Sequence, residues 1–196
     1  MTSLPTTYFD EVYGANDDPW AFATSPYERA KYETTITALS KERYTNAFEI
    51  GCSIGVLSEM LAGRCDRLLS VDASELPLKI ARQRLAPYNH VTVSQMSIPD
   101  QFPPDRFDLI LLSEVGYYLT AEDLQRARQK MLDQIEPGGQ LLLIHWTPVV
   151  PDYPLTGDEV HEQFMAISGD GQPLTHLLNQ RTEKYRLDLF GKSMTF

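Results

Sequence analysis

The chain has 196 residues and 42% of them are hydrophobic, which is enough material for one globular domain with a sizeable core. Its formal charge of −10 at pH 7 argues against a nucleic-acid partner, because phosphate binding needs clustered Lys and Arg. Cys52 and Cys65 are too few for a disulfide framework, and no signal peptide or membrane span is evident. We therefore expect a single cytoplasmic domain over residues 1–196 without a nucleic-acid or membrane partner, and the oligomeric state stays open.

Residues 1–44 are predicted to form a helical appendage ahead of the first core strand. The turn Asp17-Asp18-Pro19 separates two helices, and Ser25 is placed to cap the second. The many aromatic residues of this segment fit either a helix pair packed on the sheet or a lid over the element that follows. In the second case Trp20 would stack on a ligand and Arg29 would bind a carboxylate.

The stretch Ala-Phe-Glu-Ile-Gly-Cys-Ser-Ile-Gly-Val-Leu at 47–57 changes from strand to helix across Gly51 and Gly55. Glycine lets the main chain turn sharply and lets a ligand approach the backbone closely. The stretch is neither a P-loop nor a dinucleotide fingerprint, since no Gly-Lys-Ser/Thr follows and Ser53 replaces the second glycine. Glu49 ends the strand, where a buried carboxylate needs a cationic or hydrogen-bonding partner. The stretch is therefore either a ligand-binding turn or an ordinary turn with a satisfied glutamate.

Asp72 ends the second predicted strand, at 68–71, and Ser74 is placed to cap the next helix. In nucleotide-binding α/β folds an acid roughly 20 residues beyond the glycine turn accepts hydrogen bonds from ribose hydroxyls. A plain turn aspartate is the alternative for Asp72.

Strand and helix patterns alternate through the rest of the chain. Residues 107–112 are nearly continuously apolar, as in a strand buried on both faces of a parallel sheet. Further strands are predicted at 91–93, 141–144, 174–180 and 184–190. One helix is predicted to begin at Thr120 and to end at Pro137-Gly138-Gly139, and another to begin at Thr156. This order predicts an α/β fold, with a doubly wound, mostly parallel Rossmann-like sheet, an antiparallel edge strand and an N-terminal helical lid.

Ligands of such a sheet bind outside the carboxyl ends of the strands, where the strand order reverses. The loops expected at that edge are 49–55, Asp72, Ser97 to Ile98, 113–118 and His145 to Trp146. We expect these five loops to line one crevice.

Four motifs in this order resemble those of class I S-adenosylmethionine-dependent methyltransferases over residues 45–146. They are Glu-x-Gly-x-x-x-Gly from Glu49, the acid Asp72, Phe-Asp-Leu-Ile at 107–110 and Pro-Gly-Gly-x-Leu at 137–141. The resemblance implies S-adenosylmethionine as cofactor and S-adenosylhomocysteine as product, with Glu49 serving the amino group of the methionine portion and Asp72 the ribose. The acid that usually meets the adenine amine is not evident, because Ser97 and Ile98 occupy its region.

The residues expected to bind this cofactor extend over both halves of the chain. They are Trp20, Arg29, Glu49, Gly51, Cys52, Ser53, Gly55, Asp72, Ala73, Ser97, Ile98 and Ser113.

The whole chain more narrowly resembles the rhizobial nodulation N-methyltransferases, the nodulation protein S family. The shared strings are Asp-Asp-Pro-Trp at 17–20, Ser-Pro-Tyr-Glu-Arg at 25–29, Glu-Ile-Gly-Cys-Ser-Ile-Gly-Val-Leu at 49–57, Ser-Glu-Val-Gly-Tyr-Tyr-Leu at 113–119 and Tyr-Pro-Leu-Thr-Gly-Asp-Glu-Val-His at 153–161. The resemblance implies methyl transfer to the free amine of the non-reducing glucosamine of a deacetylated chitooligosaccharide, a step of Nod factor biosynthesis.

Two side chains at the ends of predicted core strands are candidate catalytic bases. Methyl transfer needs in-line alignment and an unprotonated amine, so a proton acceptor helps. Glu114 and His145 are placed for this role, although a helix-start or cofactor-side carboxylate and a structural histidine are the alternatives. His161, on the helix beside Val160, is expected at the surface, and no spacing of His and Cys predicts a metal site.

Aromatic side chains near these bases are candidates for the acceptor side. Tyr117 and Tyr118 could stack on a sugar or hydrogen-bond an amine, with adjacent tyrosines commonly one inside and one outside. Trp146 and Tyr153 are further candidates for a sugar platform.

Three functions stay open at this level. The first is an N-methyltransferase acting on the chitooligosaccharide amine. The second is a methyltransferase of the same fold with another amine, a hydroxyl or a carboxylate as acceptor, because the motifs report cofactor rather than acceptor. The third is a non-catalytic module that binds the cofactor.

Overall fold

A computed structural model describes residues 2–194, which divide into two compact units. The amino-terminal unit comprises residues 5–97, and the carboxy-terminal unit comprises residues 98–194 together with 2–4. The expectation of a single domain with a helical appendage over residues 1–44 stays a prediction.

The amino-terminal unit carries a parallel sheet with strand order β3-β2-β1. Its elements are α1 (Thr6–Ala15), α2 (Pro26–Ala38), β1 (Ala47–Ile50), α3 (Val56–Ala62), β2 (Leu68–Asp72), α4 (Glu75–Leu85) and β3 (Val91–Gln95). All four residues of β1 are buried, as expected of a strand covered on both faces. Ser25 accepts the backbone N–H of Glu28 at 3.3 Å, so α2 begins where the sequence predicts.

The carboxy-terminal unit carries strands in the order β4-β5-β7-β6. Its elements are β4 (Phe107–Ser113), a 3₁₀ turn (Gly116–Tyr118), α5 (Ala121–Gln134), β5 (Ile135–Trp146), α6 (Gly157–Met165), β6 (Leu174–Arg181) and β7 (Tyr185–Lys192). Strands β4 and β5 are parallel, whereas β7 is antiparallel to both β5 and β6. The predicted fold class, a mostly parallel α/β sheet with antiparallel strands at its edge, is confirmed.

The Pro137-Gly138-Gly139 segment differs from its prediction. Helix α5 ends before it, at Gln134, and the segment lies inside β5 rather than at the helix end. The buried Ile135 already pairs with Phe107 of β4, and the pairing register shifts before Leu109. The three residues therefore form an irregular part of the strand, with Gly138 at a φ of +73°.

Capping explains the start of helix α6. Thr156 accepts the N–H of Glu159 at 3.2 Å, and the carboxylate of Glu159 accepts the N–H of Thr156 at 2.8 Å.

None of the helices between residues 2 and 194 combines the length and apolar character needed to cross a bilayer.

Candidate functional site

The glycine turn that follows β1 is built from backbone in the left-handed region. Gly51, Ser53 and Gly55 have φ angles of +90°, +48° and +80°. A Cβ on Gly55 would lie 3.1 Å from the Cβ of Ala81 and 3.2 Å from its Cα, so this position also needs glycine for helix α4 to pack closely. The turn exists because these positions tolerate the left-handed conformation and the close approach.

Glu49 is a buried carboxylate with one oxygen unmatched. Its Oε2 accepts the hydroxyls of Ser58 at 2.5 Å and Ser70 at 2.7 Å. Its Oε1 has no hydrogen-bond partner among the described residues. Burial raises the pKa of Glu49 to about 7, although the two serine hydroxyls oppose the rise. An unmatched buried acceptor of this kind fits an N–H or ammonium group of a ligand.

Asp72 stands at the end of β2 and is tied to the same turn. Its Oδ2 accepts the N–H of Ser53 at 3.0 Å, and its Oδ1 accepts the N–H of Ser74 at 3.1 Å. Burial raises the pKa of Asp72 to about 6, against the effect of these backbone donors. Each carboxylate oxygen can accept more than one hydrogen bond, so the half-buried side chain keeps capacity for hydroxyl donors.

Helix α1 is held by two side-chain hydrogen bonds, one to the glycine turn and one to Ser74 at the start of α4. Tyr13 is buried, and its hydroxyl lies 2.6 Å from the Oγ of Ser53. The Oγ of Ser74 donates to Asp10 at 2.6 Å. Sequence reasoning missed Tyr13 as a site residue, although a tyrosine on a buried stripe needs a partner for its hydroxyl.

Trp20 and Arg29, the two residues of the appendage that are predicted to contact a ligand, have different surroundings. The ring of Trp20 contacts that of Tyr13 edge-on, with centroids 5.5 Å apart, which brings it to the side of the glycine turn. The Arg29 side chain is 80% exposed, and its Nε lies 3.0 Å from a carboxylate oxygen of Glu33. Arg29 therefore lies on the solvent side of α2.

The remaining cofactor candidates have varied surroundings. Cys52 is buried, and burial raises the pKa of its thiol well above the usual value. The carbonyl of Ala73 accepts the side-chain amide of Gln95 at 2.9 Å. Ser97 and Ile98 fall on either side of the boundary between the units. Asp100, just beyond them, pairs with Arg126 at 2.6 Å.

In the carboxy-terminal unit, Glu114 follows the buried Ser113 at the end of β4 in an unusual conformation. Its φ is +55°, in the left-handed region that side chains other than glycine rarely adopt. Its N–H donates to the carbonyl of Ile144 at 3.0 Å. Its Oε2 accepts hydrogen bonds from the hydroxyl of Tyr117 at 2.7 Å and from the backbone N–H of Trp146 at 2.8 Å. These bonds from β5 and from the 3₁₀ turn hold the carboxylate in place.

Three tyrosines pack together beside Glu114. The rings of Tyr117 and Tyr153 stack with centroids 5.1 Å apart, and Tyr118 meets both edge-on, at 4.7 and 4.8 Å. Tyr117 and Tyr118 are both buried, so the expectation of one inside and one outside is wrong. Tyr153 and Trp146 are half-buried.

His145 is buried, and both of its ring nitrogens have hydrogen-bond partners inside this unit. Nε2 lies 3.1 Å from the N–H of Gly116, and Nδ1 lies 3.0 Å from Nε2 of His161. The expectation that His161 is at the surface is wrong, because α6 turns its His161 face inward together with Val160 and Phe164.

The predicted loops thus gather in two groups. Glu49, the glycine turn and Asp72 meet in the amino-terminal unit, and residues 113–118 meet His145 and Trp146 in the carboxy-terminal unit. The expectation that all five loops line one crevice involves both units and stays a prediction.

Comparison with known proteins identifies the family. The sequence model of nodulation protein S (NodS) matches residues 11–146, well over half of the chain. The chain belongs to the NodS family. The resemblance expected from the sequence motifs is therefore confirmed.

Individual NodS relatives agree with this assignment. The NodS protein of Rhizobium tropici is 31% identical over 130 residues, which are 65% of this chain and 55% of that protein. The chain thus spans little more than half the length of this curated relative. NodS from Bradyrhizobium japonicum WM9, an N-methyltransferase solved with S-adenosyl-L-homocysteine, superposes with a TM-score of 0.83 at 26% identity, covering 96% of this chain and 99% of that one.

A Pseudomonas syringae protein assigned as a methyltransferase is 39% identical, with a TM-score of 0.74, over 85% of this chain and 99% of that one. Within the NodS match lie all the candidate cofactor residues, from Trp20 to Ser113, and also Glu114, Tyr117 and His145. Tyr153 and His161 lie beyond it. The family match therefore includes the glycine turn completely and the tyrosine cluster only in part.

Proposed function

We propose that this chain is a cytoplasmic S-adenosylmethionine-dependent N-methyltransferase, and that its acceptor is the free amine of the non-reducing glucosamine of a deacetylated chitooligosaccharide. The observation that carries the cofactor assignment is the unmatched buried Oε1 of Glu49 at the glycine turn. Membership of the NodS family supports the N-methyl transfer, and the oligosaccharide acceptor follows from that resemblance.

The residues of the amino-terminal unit fit the cofactor. Bound S-adenosylmethionine supplies an electrophilic methyl group on a sulfonium. Glu49 would accept the methionine ammonium through Oε1, and Asp72 would accept ribose hydroxyls beyond its two backbone bonds. Trp20 is assigned to cover the turn from the side of Tyr13. We keep the other cofactor candidates from the sequence as proposed contacts of S-adenosylmethionine. Arg29 is the exception in its surroundings, because its side chain is exposed to solvent.

Glu114 is the group we propose to accept or orient the proton of the amine. A side chain held at a left-handed φ is strained by about 1–2 kcal/mol, and such strain is retained where it positions a functional group. The Tyr117 hydroxyl and the Trp146 N–H both donate to Oε2 and fix the direction of the carboxylate. His145 has both nitrogens engaged inside the fold, so we assign the base role to Glu114 instead.

The tyrosine cluster is the proposed acceptor side. Burial raises the pKa of Tyr117 and Tyr118, so both phenols stay protonated at neutral pH and act as hydrogen-bond donors. The half-buried Tyr153 and Trp146 offer aromatic faces of the kind on which sugar rings stack.

An acceptor screen tests the function. Methyl transfer from labelled S-adenosylmethionine is measured with N-deacetylated chitooligosaccharides, their fully acetylated forms, free glucosamine and a panel of small amines, hydroxyls and carboxylates. We expect transfer to the deacetylated oligomers and none to the acetylated ones, since acetylation removes the nucleophilic lone pair. Failure of every acceptor to be methylated would overturn the proposal.

A second candidate is the same chemistry on another acceptor. It is favoured by one observation: Tyr153 stacks on Tyr117 but lies beyond residues 11–146, which the family model matches, so only the string at 153–161 connects it with the family. Preferential methylation of a small amine, hydroxyl or carboxylate in the same screen would select this alternative. Binding of S-adenosylhomocysteine without any turnover would instead leave the non-catalytic module.

The Glu49 assignment predicts proton release on cofactor binding. With a pKa of about 7, Glu49 is mostly protonated at pH 6.5, and an ammonium at Oε1 favours its ionised form. We expect the binding of S-adenosylhomocysteine to release roughly one proton per protein at pH 6.5 and almost none at pH 8. Calorimetry in two buffers of different ionisation enthalpy measures this number.

The control for the proton count is Glu49→Gln, which cannot release a proton from this position. If the wild type and the variant release the same number at pH 6.5, Glu49 does not meet the ammonium.

A further inference from the structure

A chain of hydrogen bonds runs through the buried interior of the carboxy-terminal unit and ends at the 3₁₀ turn. It links the N–H of Gly116, His145 on β5, His161 on α6 and Asp188 on β7. The three side chains are fully buried. Two neutral imidazoles in series, closed by a carboxylate at one end and a backbone N–H at the other, need a defined placement of every proton.

The backbone end fixes the direction of the chain. An amide N–H can only donate, so Nε2 of His145, 3.1 Å from the Gly116 nitrogen, must be an acceptor without a proton. Neutral His145 then carries its proton on Nδ1 and donates it to Nε2 of His161 at 3.0 Å. His161 in turn carries its proton on Nδ1 and donates it to Oδ2 of Asp188 at 2.6 Å. One tautomer of each ring satisfies the whole chain.

The carboxylate end is held ionised by its own surroundings. Burial raises the pKa of Asp188, but hydrogen bonds from His161 and Asn179 and the charge of Arg186 outweigh it and leave the pKa well below the usual value. His176 also donates to Oδ1, at 2.7 Å. Asp188 therefore remains an acceptor throughout the pH range in which histidines titrate.

An added proton cannot enter the chain without a conflict between donors. If His161 gains a proton on Nε2, that N–H faces the Nδ1–H of His145. If His145 then moves its proton to Nε2, the new N–H faces the N–H of Gly116. Every protonated arrangement breaks a hydrogen bond, either between the rings or at the turn.

The 3₁₀ turn, where this chain of hydrogen bonds ends, carries the groups proposed to meet the acceptor. The ring of Tyr117 meets that of His145 edge-on, with centroids 5.4 Å apart, and its hydroxyl donates to Glu114. A Cβ on Gly116 would lie 2.5 Å from Cγ1 of Val160 and 3.0 Å from Nε2 of His145, so the turn packs closely against these two side chains. Displacing the Gly116 bond would therefore displace Tyr117 and the carboxylate it orients.

We propose that His145, His161 and Asp188 are positioning residues, which hold residues 114–118 in the geometry for the acceptor through one fixed tautomer of each histidine. The role in turnover rests on the proposed function, whereas the tautomers and the Gly116 bond do not. Acid should disrupt the arrangement.

The groups that face His161 set the pH at which this disruption occurs. They are His145 on β5, Asp158 on α6, and Arg186 and Asp188 on β7. His176 on β6 and Glu162 on α6 act through their bonds to Asp188 and Arg186. Burial lowers the pKa of His161, and Asp188 only partly offsets this. We therefore expect His161 to stay neutral at pH 7 and the chain of hydrogen bonds to be disrupted below the ordinary pKa of histidine, about 6.5.

Nitrogen NMR of the full chain, labelled with ¹⁵N, tests the tautomers directly. At pH 7.5 we expect both His145 and His161 to carry the proton on Nδ1 and none on Nε2, and the Gly116 amide to be protected from solvent exchange. A proton on Nε2 of His145, or a freely exchanging Gly116 amide, overturns the proposal even if no acceptor is ever found.

Matched variants test the positioning role. His161→Leu keeps much of the volume and interrupts the chain of hydrogen bonds. His161→Gln can still accept from His145. His176→Gln replaces a partner of Asp188 that lies outside this chain of hydrogen bonds. We expect His161→Leu to lose Gly116 protection and to lower kcat about tenfold to a hundredfold, the effect of a misplaced catalytic group, with affinity for S-adenosylhomocysteine unchanged.

In the same experiment, His161→Gln should recover part of the rate and shift its acid limb, and His176→Gln should retain Gly116 protection. If His161→Leu does not fold, the wild-type tautomers and the pH profile of His161→Gln decide the matter. Wild-type kcat and pH profile in both His161 variants would overturn the role.

Discussion

Glu114→Gln is expected to lower kcat for methyl transfer by about 10²–10⁴, the usual contribution of a general base. Glutamine keeps the length of the side chain and can still accept the N–H of Trp146 and the hydroxyl of Tyr117 through its carbonyl oxygen. The turn should therefore persist while the proton acceptor is lost. Steady-state rates with the best acceptor, together with calorimetry of S-adenosylhomocysteine, measure the effect.

The matched control for this variant is Tyr117→Phe. It keeps the ring that stacks on Tyr153 but removes one donor to Glu114, so we expect a fall of only about tenfold, in line with one hydrogen bond. Cofactor affinity should change little in either variant. A Glu114→Gln enzyme that turns over at the wild-type rate at all pH values would mean that alignment alone carries the reaction.

The features that sequence predicted correctly are those determined within a few residues. Ser25 and Thr156 cap their helices through backbone N–H groups three positions away, and the spacing alone announces this. The glycine turn and Asp72 at the end of β2 follow equally from local patterns, because the left-handed φ angles need glycine and the acid ends a strand. The fold class and the family resemblance rest on such local patterns, together with the alternation of strands and helices and with strings such as 107–110, 113–119 and 153–161.

The features that sequence missed depend on pairing across the sheet. Asp188 meets His161 only because β7 runs antiparallel beside β5 in the register that sets Asp188 opposite Leu143. No spacing along the chain encodes that register. The inward position of His161 could not be chosen over a surface position for the same reason, since its polar partners come from another element.

The ligand contact expected of Arg29 stays a prediction. Its position ahead of the glycine turn suggested a ligand contact, but Glu33 lies one helical turn further on and pairs with it in solvent. An i,i+4 pair of opposite charges on an otherwise polar face is the ordinary pattern of an exposed helix surface. That local signal was present in the sequence.

Glu49→Gln is expected to change how stability depends on pH. The folded pKa of Glu49 is about 7, above its ordinary value of 4.5, so between these pH values the native state binds more protons than the unfolded state. The stabilising contribution of this group is complete below pH 4.5 and is lost as pH rises through 7. The loss amounts to about 3 kcal/mol, since one pKa unit corresponds to about 1.4 kcal/mol.

Glutamine cannot titrate, so the variant lacks this loss. Urea unfolding at pH 5 and at pH 8 should show the free energy of unfolding of the variant rising relative to wild type by about 2.5 kcal/mol between the two, because part of the loss is already complete at pH 5. The other raised carboxyl of the turn, Asp72, titrates in both proteins, and its charge is the smallest of the named causes that act on Glu49. Glu122→Gln, at an exposed position, is the charge-matched control.

Parallel stability curves for Glu49→Gln and wild type would show that the carboxyl titrates in the native state as it does in the unfolded chain. The same variant should bind S-adenosylhomocysteine more weakly by about 1.5–3 kcal/mol, because it loses a hydrogen bond to a charged group. A free energy of unfolding that rises relative to wild type between pH 5 and pH 8, together with a weaker cofactor site, is the combination that a carboxylate kept for its ligand predicts. Gain of stability without loss of affinity would leave the burial of Glu49 unexplained by cofactor binding.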